Sequence, residues 1–253
     1  MKITIKNIKN NKLKILCLHG GGSNATAFSK QTGMIHLMNE LDDDFEFIFA
    51  SAPSTNGTWW DDPIDKNTPT TSPNHADTSI NYLDTFIQQN GPFYGILGYS
   101  QGLAMAIVYL AYRNISFQKV ILFNGYLPTT HRGLIDTINK NSPFNEDTLI
   151  FLGEKDVFYS IGLNVKDKFT NHTEVISSIA GHNLPYNTDP TFNKVVEFIR
   201  ATNNDQTDND QTNNDQTNND QTNNDQTNND QTNNDQTNND QTNNDQTTND
   251  QTT

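Results

Sequence analysis

Tyr94-Gly95-Ile96-Leu97-Gly98-Tyr99-Ser100-Gln101-Gly102-Leu103-Ala104-Met105-Ala106 is the stretch on which the reading of this chain turns. Its first half is a continuous apolar run, as expected of a strand buried on both faces. Its second half continues to Tyr112 with strong helix formers and no proline. At the junction, Gly98-Tyr99-Ser100-Gln101-Gly102 matches G-x-S-x-G. The bare pattern arises by chance in roughly one chain in ten of this length. Between a strand and a helix it gains meaning, because a sharp turn there lifts a serine hydroxyl clear of the sheet as a nucleophile elbow. The competing reading is a serine that simply N-caps a helix after a glycine turn.

Working outward, further apolar runs read as strands over Leu13–Leu18, Phe45–Phe49, Val120–Phe123, Thr148–Leu152 and Val175–Ile179. Helix-period stretches separate them at Ala25–Leu41, Thr78–Gln89, Leu103–Tyr112, Ser160–Phe169 and Thr191–Ala201. Alternating strands and helices imply an α/β domain with a mostly parallel sheet covered by helices on both faces. Ligands of open parallel sheets bind outside the carboxyl ends of the strands. A catalytic side chain is therefore expected just after a strand.

That rule selects the partners of Ser100. A serine hydroxyl needs a base, itself oriented by a third group, and in this architecture the chain order is Ser, Asp or Glu, His. Three histidines follow Ser100: His131 in a long connection, His172 before a strand, and His182 after one. His182 is the base by this test. Asp147 precedes the strand 148–152, whereas Asp156 and Glu154 follow it in Gly153-Glu154-Lys155-Asp156. Asp156 is favoured over Glu154, since the intervening residues give the loop room to turn the carboxylate back. For the oxyanion, Leu18-His19-Gly20-Gly21-Gly22 follows the first core strand, where HGGG-type loops offer backbone N–H groups. Gly21 and Gln101 are the expected donors, each worth ~3–4 kcal/mol. A phosphate-binding glycine loop would need G-x-G-x-x-G or a Walker lysine, and neither is present.

The segments Ser51–Asp77 and Gly125–Asp147 read as long connections, often binding loops or lids. Trp59, Trp60 and Tyr126 are candidates to line an acyl pocket, with packing of a loop onto the body as the alternative. Asp61 and Asp62, if turned inward, disfavour anionic substrates.

Composition bounds the rest. From Asn203 onward the chain repeats Asn-Asn-Asp-Gln-Thr ten times with small variations. This tail has no apolar residue, Lys or Arg, and carries eleven aspartates of a formal charge of −14. The body, residues 1–202, is thus close to neutral and offers no basic surface for nucleic acid. A segment without apolar side chains cannot offset its ordering entropy, so 203–253 is expected to be a disordered low-complexity tail. The lone Cys17 lies in an apolar run and reads as a buried small hydrophobe. No run approaches the ~18 apolar residues of a membrane span, and the start lacks a signal-peptide core, so a cytoplasmic location is expected. The residues call for neither metal nor cofactor.

At these positions the chain resembles the FSH family of serine hydrolases, a branch of the α/β-hydrolases that includes the ovarian-tumour-suppressor-candidate esterases. The resemblance runs over about residues 12–200. It rests on Ile15-Leu16-Cys17-Leu18-His19-Gly20, Ala50-Ser51-Ala52-Pro53, Trp59-Trp60-Asp61, residues 95–102, Gly153-Glu154-Lys155-Asp156 and Gly181-His182. It implies an α/β-hydrolase fold and hydrolysis of carboxylic esters or thioesters by Ser100, Asp156 and His182 on a small-molecule acyl substrate. Members commonly carry a bulky residue after the first His-Gly, where this chain has Gly21-Gly22. Thioester cleavage, and a binding protein that keeps the triad, are the alternatives.

Overall fold

The computed structural model describes residues 12–63, 68–113 and 115–201. The chain divides into two units, Met1–Thr207 and Asp208–Thr253, and every described residue belongs to the first. The tail expected over 203–253 lies outside the described residues.

Among the described residues six strands form one sheet: β1 (Leu13–Leu18), β2 (Phe45–Ala50), β3 (Gly95–Tyr99), β4 (Lys119–Phe123), β5 (Asp147–Gly153) and β6 (His172–Ser177). Their spatial order is β2-β1-β3-β4-β5-β6, and every pairing is parallel. Strand residues alternate between two cores, as a side-chain period of two demands. Leu16, Leu18, Ile96, Val120, Leu122, Ile150 and Leu152 enter one cluster. Ile15, Cys17, Leu97, Ile121, Phe123, Leu149 and Phe151 enter the other. Burial on both faces explains why these strands read as continuous apolar runs.

Helices α1 (Ala25–Ser29), α2 (Thr32–Leu41), α3 (Asp77–Asn90), α4 (Gln101–Tyr112), α5 (Arg132–Asn141) and α6 (Tyr159–Gly162) connect the strands, and α7 (Phe192–Arg200) follows the last of them. α4 is buried from Gln101 to Ala111, which is why its sequence is apolar all round rather than amphipathic. Among the described residues no helix is long and apolar enough to cross a membrane.

Four expectations need correction. The helix expected over Ala25–Leu41 is two helices, broken where Gln31 turns extended. The break seats Gly33 on Leu184, whose backbone and Cβ lie 2.7 Å from where a Cβ would stand. Ser160–Phe169 is a single turn of α-helix followed by a 3-10 helix, Leu163–Lys168. The last strand, His172–Ser177, starts three residues and ends two residues earlier than the expected Val175–Ile179. Finally, the connection 125–147 contains α5, signalled only by the Leu134–Ile138 spacing and by the stop at Ser142-Pro143.

Candidate active site

The strand order reverses direction between β1 and β3, so this is the sheet's topological switch point, where a crevice opens at the carboxyl ends. Leu18 pairs with Gly98 there. The chain leaves β1 as His19-Gly20-Gly21-Gly22 and leaves β3 as Ser100, and the two exits face each other. A Cβ at Gly20 would stand 3.1 Å from Ser100 Cβ, and one at Gly21 would stand 3.0 Å from Gln101 Oε1.

Ser100 has φ 56 and ψ −120, a conformation that costs a non-glycine residue on the order of 1–3 kcal/mol. The turn holds because its flanks admit no side chain. A Cβ at Gly98 would meet Gly102 O at 2.5 Å, and one at Gly102 would meet Leu18 O at 2.2 Å. The Ser100 N–H donates to Phe123 O at 3.0 Å, tying the elbow to the end of β4.

From this elbow Ser100 Oγ reaches His182 Nε2 at 3.0 Å, and His182 Nδ1 reaches Asp156 Oδ2 at 2.8 Å. A carboxylate accepts, so with Asp156 opposite it Nδ1 carries the proton and Nε2 is left to accept from the serine hydroxyl. The second carboxylate oxygen, Asp156 Oδ1, accepts from the Phe158 N–H at 2.9 Å. The Asp156 side chain is 1% exposed and that of His182 32% exposed. The Asp156 carboxylate is therefore shielded, while the His182 imidazole is open to solvent. Glu154 is exposed, and its backbone N–H pairs with Ser177 O.

Where the sequence reading expected the oxyanion donors, Gln101 ties the loop 54–60 to α4. As the first residue of α4, its own N–H has no partner within the helix and points with the positive end of the helix dipole. Its side chain takes the Trp59 N–H at 3.0 Å and donates to Trp60 O at 2.9 Å. Trp59 Nε1 donates to His19 O at 2.8 Å, and the Gly22 N–H donates to Gly57 O at 2.9 Å. His19 is locked as well. Its Nε2 accepts the Ala52 N–H, so its Nδ1 carries a proton and donates to Gly20 O. Burial lowers the pKa of this imidazole below its ordinary value.

Trp59 and Trp60 are 2% and 5% exposed and belong to the core. Their surface is spent on packing the loop 54–60 onto the body, the alternative weighed for them above. Tyr126 is half-buried near the mouth, 5.0 Å from the ring of Phe158, which meets the His182 ring edge-on at 5.2 Å. Asp61 and Asp62 are exposed.

The histidines rejected by the strand-edge test lie elsewhere. His172 is the first residue of β6, at the amino edge, and its Nδ1 pairs with Phe169 O. Asp147 opens β5 at that same edge and pairs with Lys119. His131 is fully buried, and both His131 Nε2 and His75 Nε2 reach the carbonyl oxygen of Asp61. Cys17 is fully buried, and burial pushes its thiol pKa well up.

Two contributors escaped the sequence reading. Asn124, just beyond β4, is buried with φ 43. Its side chain accepts from the Gly153 N–H at 2.7 Å and donates to Gly181 O at 3.1 Å and Asn183 O at 2.6 Å. Tyr99 donates its hydroxyl to His182 O at 2.6 Å and packs its ring 5.1 Å from the imidazole. Burial, with the negative charge of Asp156 nearby, pushes the Tyr99 pKa up to about 12. The Asn124-Gly125 pair reads in sequence only as a turn signal.

A family model described as serine hydrolase (FSH1) matches residues 8–58 and 54–195. The chain belongs to this serine hydrolase family. Among curated proteins it is 27% identical over 208 residues to esterase FUS5 of Gibberella fujikuroi, covering 75% of this chain and 86% of that one. It is 34% identical over 108 residues to esterase alnB of Emericella nidulans, 40% of this chain and 37% of alnB. To the rhodanese-like domain-containing protein 6 of Arabidopsis thaliana it is 31% identical over 156 residues, 46% of this chain but 26% of that protein. The chain thus spans only a part of those last two relatives. Among solved structures, esterase PE8 superposes with a TM-score of 0.55 at 18% identity, covering 75% of this chain and 92% of PE8. Acyl-protein thioesterase 2 of Zea mays gives a TM-score of 0.51 at 16% identity, covering 77% and 95%. These likenesses establish the α/β-hydrolase fold.

Proposed function

We propose that the chain is a serine esterase that cleaves neutral carboxylic esters through an acyl-enzyme, with Ser100 as nucleophile, His182 as general base and acid, and Asp156 as the orienting carboxylate. One observation carries the reading: an unbroken hydrogen-bonded line from Asp156 through His182 to a serine on a strained elbow.

In the first half-reaction Ser100 Oγ attacks the ester carbonyl carbon while His182 Nε2 takes the hydroxyl proton. Asp156 stabilises the imidazolium and keeps Nδ1 protonated. The N–H groups of Gln101 and Gly21 receive the developing oxyanion, helped by the α4 dipole. Collapse expels the alcohol, which takes the proton from Nε2. Water then repeats the sequence on the acyl-enzyme.

Since Nε2 protonates the leaving group, the alcohol portion lies on the His182 side. Phe158 and Tyr126 flank that side, and Val157 beside them is 83% exposed. Apolar surface there, with the negative charge of Asp62 acting on Tyr126, favours an uncharged alcohol. Thioesters use the same machinery, and a turnover comparison between p-nitrophenyl esters and acyl-CoAs separates the two substrate classes.

A fluorophosphonate probe tests the core of the reading. The wild-type chain is expected to be labelled at Ser100 and Ser100→Ala to be unlabelled; labelling that survives the substitution moves the nucleophile elsewhere. Turnover below about one per hour on every ester, with labelling intact, would favour a binding protein instead.

A further inference from the structure

The loop that carries His182 has no helix or strand of its own between Ser177 and Phe192. Yet the base must keep Nε2 within hydrogen-bond reach of Ser100 Oγ and Nδ1 within reach of Asp156. Something other than secondary structure must fix it.

Three consecutive carbonyls of this loop are taken by side chains from the carboxyl edge of the sheet. Gly181 O and Asn183 O accept from the two N–H groups of Asn124 Nδ2, and His182 O accepts from Tyr99 OH. Asn124 Oδ1 meanwhile accepts from the N–H of Gly153, the residue that ends β5 and begins the loop bearing Asp156. One buried amide therefore joins the exit of β4 to both the acid loop and the base loop. The Asn124 N–H donates to Phe151 O at 2.9 Å, and the preceding residue, Phe123, accepts the Ser100 N–H at its carbonyl. All three members of the triad are thus referred to one point of the chain.

The backbone at that point is unusual in the way that a required geometry would be. Asn124 has φ 43, a left-handed conformation that asparagine tolerates better than most residues. Any residue but glycine resists it. The residue is fully enclosed, so its amide has no water to fall back on, and three bonds engage both its oxygen and its nitrogen.

From this geometry we infer that Asn124 is a positioning residue for the base, holding the His182 loop in register with Asp156 and Ser100, with the Tyr99 hydroxyl as its partner. The inference rests on His182 being the base. It assigns Asn124 no contact with substrate.

The decisive variant is Asn124→Gly. Glycine adopts φ 43 without strain, so it removes the amide while easing the backbone. The expected result is a protein that still folds but melts several degrees earlier, because the Gly153 N–H and the carbonyls of Gly181 and Asn183 lose their partner, with a KM within about twofold and a kcat lowered ten- to hundredfold. The rate of fluorophosphonate labelling at Ser100 should fall in parallel, since it depends on the same proton transfer. The downfield proton resonance of the His182 Nδ1–H to Asp156 bond should broaden or disappear in the NMR spectrum. Tyr99→Phe, which keeps the ring and removes only the bond to His182 O, should give a smaller loss of kcat of the same kind. Asn124→Asp, which sets a carboxylate against the carbonyls of Gly181 and Asn183, should be the most damaged.

A folded Asn124→Gly with unchanged kcat and an intact downfield resonance overturns the inference. So does a loss that resides wholly in KM. Should His182→Ala retain wild-type turnover, the assignment of the base fails first and the inference falls with it. If His182→Ala is inactive and Asn124→Gly is not, only the inference fails.

Discussion

In the proposed mechanism Asp156 acts through the proton it keeps on His182 Nδ1. Asparagine is nearly the same shape but offers an NH2 group, so the imidazole can turn to the wrong tautomer and present N–H to the serine. Asp156→Asn is therefore expected to lower kcat by on the order of 10⁴ with KM little changed, as steady-state kinetics would read. His131 illustrates a different residue-scale effect. Burial holds its pKa below the ordinary 6.5, the neighbouring His75 adds to the depression, and the Asp61 carbonyl and the charge of Asp62 oppose it. His19 is depressed likewise by burial, against the opposing pull of Gly20 O. Below about pH 6.5 the unfolded chain thus binds more protons than the folded one, so stability is full above that pH and declines as pH falls through it. The melting temperature should drop between pH 6.5 and 5, and His131→Gln should flatten part of that slope. A slope identical in His131→Gln would show that this imidazole does not contribute.

Among elements, α4 and the loop 54–60 depend on each other through one side chain. Gln101 caps nothing in its own helix; it satisfies the Trp59 N–H and the Trp60 carbonyl, both buried. Gln101→Met keeps the volume but leaves those two groups unpaired, at a cost of about 1–3 kcal/mol each. The variant should unfold several degrees earlier. It should also bind a trifluoromethyl ketone, which mimics the tetrahedral intermediate, more weakly, because the loop 54–60 braces His19 O and Gly22 N–H beside the proposed oxyanion donors. Equal inhibitor affinity in the two proteins would limit Gln101 to a stabilising role. On the opposite side of the mouth, Phe158→Ala should change the profile across alcohol leaving groups more than the profile across acyl chains. The reverse pattern would put the acyl group on the His182 side.

For the molecule as a whole, the described residues and the repeat tail differ in what their composition can do. Removing everything after Thr202 is expected to leave melting temperature and kcat unchanged, and a shift of several degrees would show that the tail stabilises the body. Much of the body was legible from sequence because its signals are local. Buried parallel strands print continuous apolar runs, a nucleophile elbow needs glycines at fixed offsets, and the strand-edge rule converts chain order into position. That is how Ser100, Asp156, His182 and the Gly20-Gly21-Gly22 loop came to be expected at one edge, and how the family resemblance found its residues. Other features have no local signature. The split at Gln31 answers to Leu184, far along the chain, and Trp59 and Trp60 look alike in sequence whether they face a substrate or the core. Asn124 printed only a turn signal, because its partners Gly153, Gly181 and Asn183 are nearly 30 to 60 residues away. The amino-acid sequence by itself determined the sheet, its carboxyl edge and the chemistry gathered there. Only the tertiary structure decided that the buried Asn124 amide meets the loops bearing Asp156 and His182, since a hydrogen bond between distant loops depends on where the chain returns and not on what lies beside it.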